Sequence, residues 1–259
     1  MSSLLEQAIA LVRETRAMSL PSYGNIEVTH RKTSSASDVV TQLDHDIERF
    51  LAERLQVLDP GATFRGEEFG GEKESERFWL CDPIDGTAHL VRGLPFCTTM
   101  LALIESGVVT FSVIYNFVDD VLYHAVRNGG AWRNGHRLRV SNRPLSDAYI
   151  SFETRLNQPQ NLDAYLKLRS SASLISTINC GYEFAMIAEG RLEGRIMLDP
   201  YGHEWDYAPG TLLVSEAGGV VANLRTRSYD YRNKDFIAAN PRVFFALTEG
   251  PDAIFPISK

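Results

Sequence analysis

The apolar residues change their spacing near residue 78, and that change limits the folds open to this chain. Before it the pattern is helical. Leu4, Leu5, Ala8, Ile9, Leu11 and Val12 predict an amphipathic helix over about Ser3–Ala17. Ile47, Phe50, Leu51, Leu55 and Leu58 predict a second helix, stopped by Asp59-Pro60-Gly61. The polar stretch Ser19–Ser37 between them, with Pro21, Gly24 and a serine cluster, predicts a loop or irregular hairpin. From Phe78 onward the apolar runs are short and bounded by turn residues. Phe78–Cys81 runs into an Asp-Pro turn. Cys97–Ile104, Val108–Tyr115 and Val121–Val126 predict an antiparallel meander turning at Ser106-Gly107 and Asp119-Asp120. Asn134-Gly135 predicts a tight hairpin between Trp132 and Val140.

After Arg143-Pro144-Leu145, strands and helices alternate. Strands are expected at Tyr149–Glu153, Leu174–Thr177, Arg195–Leu198, Val220–Ala222 and Phe236–Ala239. Helices are expected near Asp163–Arg169, Tyr182–Glu189 and Asp206–Ala217, and a last one after Asn240-Pro241. This predicts a mixed α/β (α+β) fold with an antiparallel N-terminal sheet and a mixed C-terminal sheet. It also predicts two domains, residues 1–143 and 144–259.

Charge narrows the partners. Asp and Glu total 33 against 26 Lys and Arg, a net charge of −7, which disfavours a nucleic acid polymer. No apolar run approaches the ~20 residues of a membrane span. The N-terminus has no basic segment followed by an apolar core, so no secretory leader is expected. Cys81, Cys97 and Cys180 are odd in number and lack C-x-x-C spacing. They read as core residues of a chain in the reducing cytoplasm, not as a disulfide framework or zinc cluster.

The chemistry centres on Trp79-Leu80-Cys81-Asp82-Pro83-Ile84-Asp85-Gly86-Thr87. A buried strand delivers two carboxylates into a turn shaped by Pro83 and Gly86. Asp82 and Asp85 are three apart, so one turn can aim both at one point. Carboxylates that close repel unless a cation lies between them, and hard oxygen ligands select magnesium, manganese or calcium. A phosphoaspartate loop of the D-x-D-x-T type needs its aspartates two apart, so that chemistry fails on spacing. Further acidic blocks are Thr41-Gln42-Leu43-Asp44, Gly66-Glu67-Glu68 and Trp205-Asp206-Tyr207-Ala208. Taken singly, the first and last read as helix caps and the second as a solvated loop.

Together, in this order, these blocks resemble the inositol monophosphatase family of magnesium-dependent, lithium-sensitive phosphatases. Glu216-Ala217-Gly218-Gly219 and Gly129-Gly130-Ala131-Trp132 fit the same pattern. The resemblance implies a layered α-β-α-β-α sandwich of the sugar-phosphatase type and a homodimer. It implies two to three Mg2+ ions, with Mn2+ as a substitute and Ca2+ and Li+ inhibitory. One ion would be held by Glu67, Asp82 and the Ile84 carbonyl, and another by Asp82, Asp85 and Asp206. A third would lean on Glu67 through water. Thr87 and Asp44 would orient the attacking water, and the amides of Gly86 and Thr87 would hold phosphate. The substrate would be a small phosphate monoester of inositol or a related sugar or polyol, contacted by Asp199, Gly181 and Asp206.

The chain departs from the family pattern at several places. Asp199 is one methylene shorter than the glutamate of many inositol-specific members. Tyr182 or Glu183 would narrow the pocket. His89 stands at the expected mouth of the site, and Lys32 would neutralise charge near the third ion. Pro209 is expected in the first turn of its helix, where proline is tolerated. Two alternatives stay open: a histidinol-phosphate or 3′-phosphonucleotide phosphatase, and a catalytically silent phosphate-binding regulator.

Overall fold

A computed structural model describes residues 3–36, 38–72, 75–177 and 179–257. The first helix, α1, covers Ser3–Ser19 and the second, α2, Gln42–Leu58. Strand β1 (His30–Arg31) pairs with β2 (Val39–Val40), so the predicted loop is partly an irregular ribbon; Ser37 lies outside the described residues. The first large sheet contains β3 (Thr63–Gly66), β4 (Gly70–Gly71), β5 (Arg77–Asp85), β6 (Thr98–Glu105), β7 (Val108–Asn116), β8 (Val121–Val126), β9 (Gly130–Arg133) and β10 (His136–Arg137). Its order is β10-β9-β8-β7-β6-β5-β3-β4. All neighbours are antiparallel except β3 and β5. The predicted hairpin is shorter than Trp132–Val140; it turns at Asn134-Gly135 with positive φ at both residues, as a two-residue hairpin turn requires. A short helix, α3 (Thr87–Arg92), follows β5.

The second sheet contains β11 (Tyr149–Glu153), β12 (Ser173–Ile175), β13 (Gly194–Met197), β14 (Val220–Asn223) and β15 (Phe236–Ala239), in the order β12-β11-β13-β15-β14. Pairs β11–β12 and β11–β13 are parallel and the other two antiparallel, so the sheet is mixed. The remaining helices are α4 (Pro159–Ser171), α5 (Cys180–Ala188), α6 (Glu204–Glu216) and α7 (Pro241–Thr248).

Strand alternation explains the layering. On β5, Trp79 and Cys81 point to one face and pack with Val12, Ile47, Leu51 and Leu55 of α1 and α2. Phe78 and Leu80 point to the other and pack with Phe184, Tyr207 and Leu212 of α5 and α6, which also meet Phe236 and Ala238 of the second sheet. That sheet's far face buries Ile150, Ile196 and Ile237 against Leu168, Val243 and Leu247 of α4 and α7. The result is the α-β-α-β-α stack. Both faces of β5 are covered, which is why Phe78–Cys81 reads as a continuous apolar run. Among the described residues, no helix is long and apolar enough to cross a membrane.

Candidate active site

Strand β5 carries its acidic turn into a cleft of about 110 Å³ lined by Lys32, Asp38, Glu67, Asp82, Ile84, Asp85, Gly86, Thr87, His89 and Asp206, among others. Acidic side chains from four segments, at Asp38, Glu67, Asp82–Asp85 and Asp206, therefore meet in one place. Each is brought there by a local device.

Asp44 and Asp206 are both the third residue of a helix. Thr41 N–H donates to Asp44 Oδ2 at 2.8 Å, and His203 N–H donates to Asp206 Oδ2 at 2.5 Å. Each carboxylate thus closes its own helix N-terminus, as in a capping box. Asp44 then accepts Thr87 Oγ1–H on its other oxygen at 2.8 Å. The same hydroxyl lies 2.9 Å from the Ile84 carbonyl. The helix of Asp206 begins at Glu204, so Pro209 lies in its second turn and not its first, a correction to the expected position. Proline there leaves the Trp205 carbonyl without its intrahelical partner.

The Gly66-Glu67-Glu68 loop is held from below. Glu48 is fully buried on α2 and accepts both Glu68 N–H and Phe69 N–H at 2.8 Å. A Cβ on Gly66 would stand 2.1 Å from the Glu48 carboxylate, so a larger residue there would push that carboxylate off its two N–H donors. Gly86 is needed for its backbone: its φ of +89° is left-handed, and a side chain would meet the Phe96 carbonyl at 2.5 Å. Asn179 Nδ2–H donates to the Asp85 carbonyl at 2.7 Å, while Gly181 N–H and Cys180 N–H donate to the Asp85 carboxylate at 2.5 and 3.2 Å.

Electrostatics mark the cleft as a place for cations. Burial pushes the Asp82 carboxyl well up, and the charges of Glu67, Asp85 and Asp206 push it further. Asp206 is raised by burial and by Glu67 and Asp85, against the His203 N–H bond. Burial raises Asp85 to about 6 despite its backbone donors and the Arg195 charge. Asp44 is raised by burial to about 6, opposed by its bonds from Thr41 and Thr87. Asp82 is 1 % exposed, and its Oδ1 has no hydrogen-bond partner among the described residues. An orphaned buried carboxylate oxygen among other carboxylates fits a hard divalent cation, because a bound cation offsets both the desolvation and the mutual repulsion. Lys32 supplies part of that charge, with Nζ at 2.7 Å from Glu67 and 2.8 Å from Glu68. Burial lowers its pKa, but the two glutamates outweigh that and leave it raised.

Ile84, Gly86, Thr87, Glu67, Asp82, Asp85 and Asp206, all expected at the site, line the cleft, and Asp44 touches it through Thr87. His89 also lines it, with Nδ1 donating to the Phe96 carbonyl at 2.8 Å, since a carbonyl can only accept. Asp199 is not among the lining residues; its carboxylate is paired with Arg155 and accepts Asn161 Nδ2–H at 3.3 Å. Gly181 is also absent from the lining and acts through its backbone N–H. Glu183 does not narrow the pocket either: it is 1 % exposed, accepts Thr177 N–H at 2.7 Å, and is ion-paired with Arg195. Cys180 is only half-buried, unlike Cys81 and Cys97. Glu48 and Asn179 are additions that the sequence did not mark. A helical glutamate reads as solvated, and the helix that Asn179 caps begins at Cys180, ahead of the expected start at Tyr182.

The profile of the inositol monophosphatase family matches residues 1–249. The chain belongs to the inositol monophosphatase family. Relatives include the inositol-1-monophosphatase of Rhizobium meliloti, 31% identical over 257 residues and covering 96% of each chain. The Nus factor SuhB of Pseudomonas aeruginosa is 32% identical over 261 residues, covering 95% of each. A solved IMPase/NADP phosphatase complexed with Mg2+ and phosphate superposes with a TM-score of 0.81 at 25% identity, covering 96% of this chain and 98% of that one. Membership in this family supports a phosphatase activity and a divalent-metal requirement.

Proposed function

We propose that this chain hydrolyses a small phosphate monoester of the inositol or sugar type, with Mg2+ held by Glu67, Asp82, Asp85, Asp206 and the Ile84 carbonyl. The observation that carries this reading is the orphaned Asp82 Oδ1 in the cleft that Glu67, Asp85 and Asp206 also line. When bound, divalent ions supply Lewis-acid polarisation of the phosphate and an activated water. The chain's own groups do the rest. Thr87 Oγ1, donating to Asp44, fixes the carboxylate that receives or places the water's proton. The backbone amides of Gly86 and Thr87 open α3 and face phosphate oxygens. Lys32 tempers the negative field that would otherwise repel an anionic substrate. The engagement of Asp199 by Arg155 leaves the substrate's hydroxyls to other contacts, and His89, which lines the cleft, supplies one of them. Lithium sensitivity and a homodimer belong to this reading as family properties.

The Pseudomonas relative carries the name of a Nus factor, so a phosphate-binding regulator is the competing reading. The complete acidic set favours turnover. Phosphate release from a panel of monoesters, with Mg2+, with EDTA and with added Li+, decides between them. Mg2+-dependent release inhibited by Li+ is expected. Phosphate binding with no turnover of any monoester would leave the regulator standing.

A further inference from the structure

Cys180 lies against the acidic cluster from the side of α5. Its Sγ and carboxylate oxygens of Asp85 and Asp206 lie within 4.8 Å of one another. We infer that Cys180, Asp85 and Asp206 form a mixed sulfur–oxygen site for a thiophilic divalent cation such as Zn2+ or Cd2+. The inference rests on the proposed function only in sharing Asp85 and Asp206 with the magnesium set.

Four features carry it. The donor atoms come from three separate segments and all lie within 4.8 Å of one another, so side-chain rotations can bring them onto one ion at the ~2.0–2.3 Å of zinc–oxygen and zinc–sulfur bonds. The buried Asp82 Oδ1, without a partner among the described residues, lines the cleft that Asp85 and Asp206 also line. Cys180 N–H donates to Asp85 Oδ1 at 3.2 Å, which ties the two residues together. The Arg195 guanidinium donates to Cys180 Sγ at 3.2 Å, which holds the sulfur beside the two aspartates. On binding, the thiol proton leaves to solvent and the sulfur bonds the metal. Sulfur selects softer ions than the all-oxygen set does. An ion bound there occupies Asp85 and Asp206, so a thiophilic cation antagonises Mg2+.

The test titrates the full-length chain with Cd2+ and reads thiolate-to-metal charge-transfer absorbance in the ultraviolet. The wild-type band is expected to saturate with a single ion per chain and to shrink when Mg2+ is added in excess. Cys180→Ala and Cys180→Ser are expected to lose the band and to bind Cd2+ on the order of 10–100-fold more weakly, since losing a direct ligand costs at least what losing a supporting group does. Cys180→Ser keeps an acceptor for Arg195, so a native urea midpoint in that variant separates lost ligation from lost folding. A band that persists in both variants, or no band in the wild type, overturns the inference. If Mg2+ neither competes with Cd2+ nor supports turnover while the Cys180-dependent band remains, the proposed function fails and this site stands.

Discussion

Replacing Asp85 by asparagine tests the idea that the cluster is a metal site maintained at a folding cost. In the metal-free chain, burial raises the Asp85 carboxyl from 3.8 to about 6, which makes its ionisation in the folded state costlier by about 3 kcal/mol. The sign is that of an acid with a raised folded pKa. The folded state holds the proton more tightly, so stability is greatest below 3.8 and falls as pH climbs through about 6. Asparagine removes that titration but loses an acceptor. Asp85 takes Gly181 N–H and Cys180 N–H on different oxygens, and the asparagine amide, with a single oxygen, can serve one of them, leaving an unmet N–H worth about 1–3 kcal/mol. At pH 8 the two effects leave the variant between roughly equal to the wild type and about 2 kcal/mol more stable. Between pH 8 and pH 4.5 that comparison moves against the variant by about 2 kcal/mol, because protonation relieves only the wild type. Relief of repulsion on Asp82 and Asp206 acts in the same direction. Urea unfolding in EDTA at both pH values, followed by tryptophan fluorescence, measures this. Added Mg2+ at about a hundred times its Kd should then stabilise the wild type by about 2.7 kcal/mol and the variant not at all, with turnover lost. A wild-type-to-variant difference that does not change with pH, or a variant that responds fully to Mg2+, would refute the reasoning.

Three further outcomes follow from the supports of the site. Glu48→Gln puts an amide NH2 against a backbone N–H under the Glu67 loop; it should cost about 1–3 kcal/mol in urea unfolding and weaken Mg2+ binding measured by calorimetry. Thr87→Val removes the donor that lowers the Asp44 pKa, so the acidic limb of kcat/KM, expected near about 6, should shift to higher pH as activity falls by about 10²-fold or more; an unmoved limb would separate Asp44 from the chemistry. Arg195→Met strands the buried Glu183 and the partly exposed Glu153, and should cost about 3–5 kcal/mol, read as a lowered urea midpoint at unchanged metal stoichiometry.

Much of this architecture was legible because local period and turn chemistry agree with the fold. Phe78–Cys81, Cys97–Ile104 and Val108–Tyr115 carry apolar residues on both sides because helices cover both faces of their sheet, and Asn134-Gly135 turns where its dipeptide predicts. Strand β3 escaped because Thr63–Gly66 is short, does not alternate, and is made a strand by parallel pairing with β5, a non-local contact. The surroundings of Asp199 were hidden for a related reason: a residue's place in a motif does not reveal that Arg155, 44 positions away, holds its carboxylate.

The caps of α2 and α6 show why helix-capping and metal-binding readings of the same aspartates do not compete. A carboxylate has two oxygens, and a helix N-terminus needs only one of them. Thr41 N–H occupies Asp44 Oδ2 and leaves Oδ1 to Thr87; His203 N–H occupies Asp206 Oδ2 and leaves the other oxygen for the cleft. The cap fixes the side-chain rotamer, and the helix dipole favours the negative charge that the cleft needs, by about 0.3–1 kcal/mol for each aspartate. A sequence in which T-x-x-D or H-x-x-D opens a helix looks structural for the same reason that it can be functional. The structural role holds the second oxygen where the chemistry requires it. What distinguishes such a cap from an ordinary one is the company of that second oxygen, which depends on segments far apart in the chain. Asp206 faces Glu67 and Asp85, whose charges add to burial in raising its pKa, whereas an exposed capping aspartate would face water.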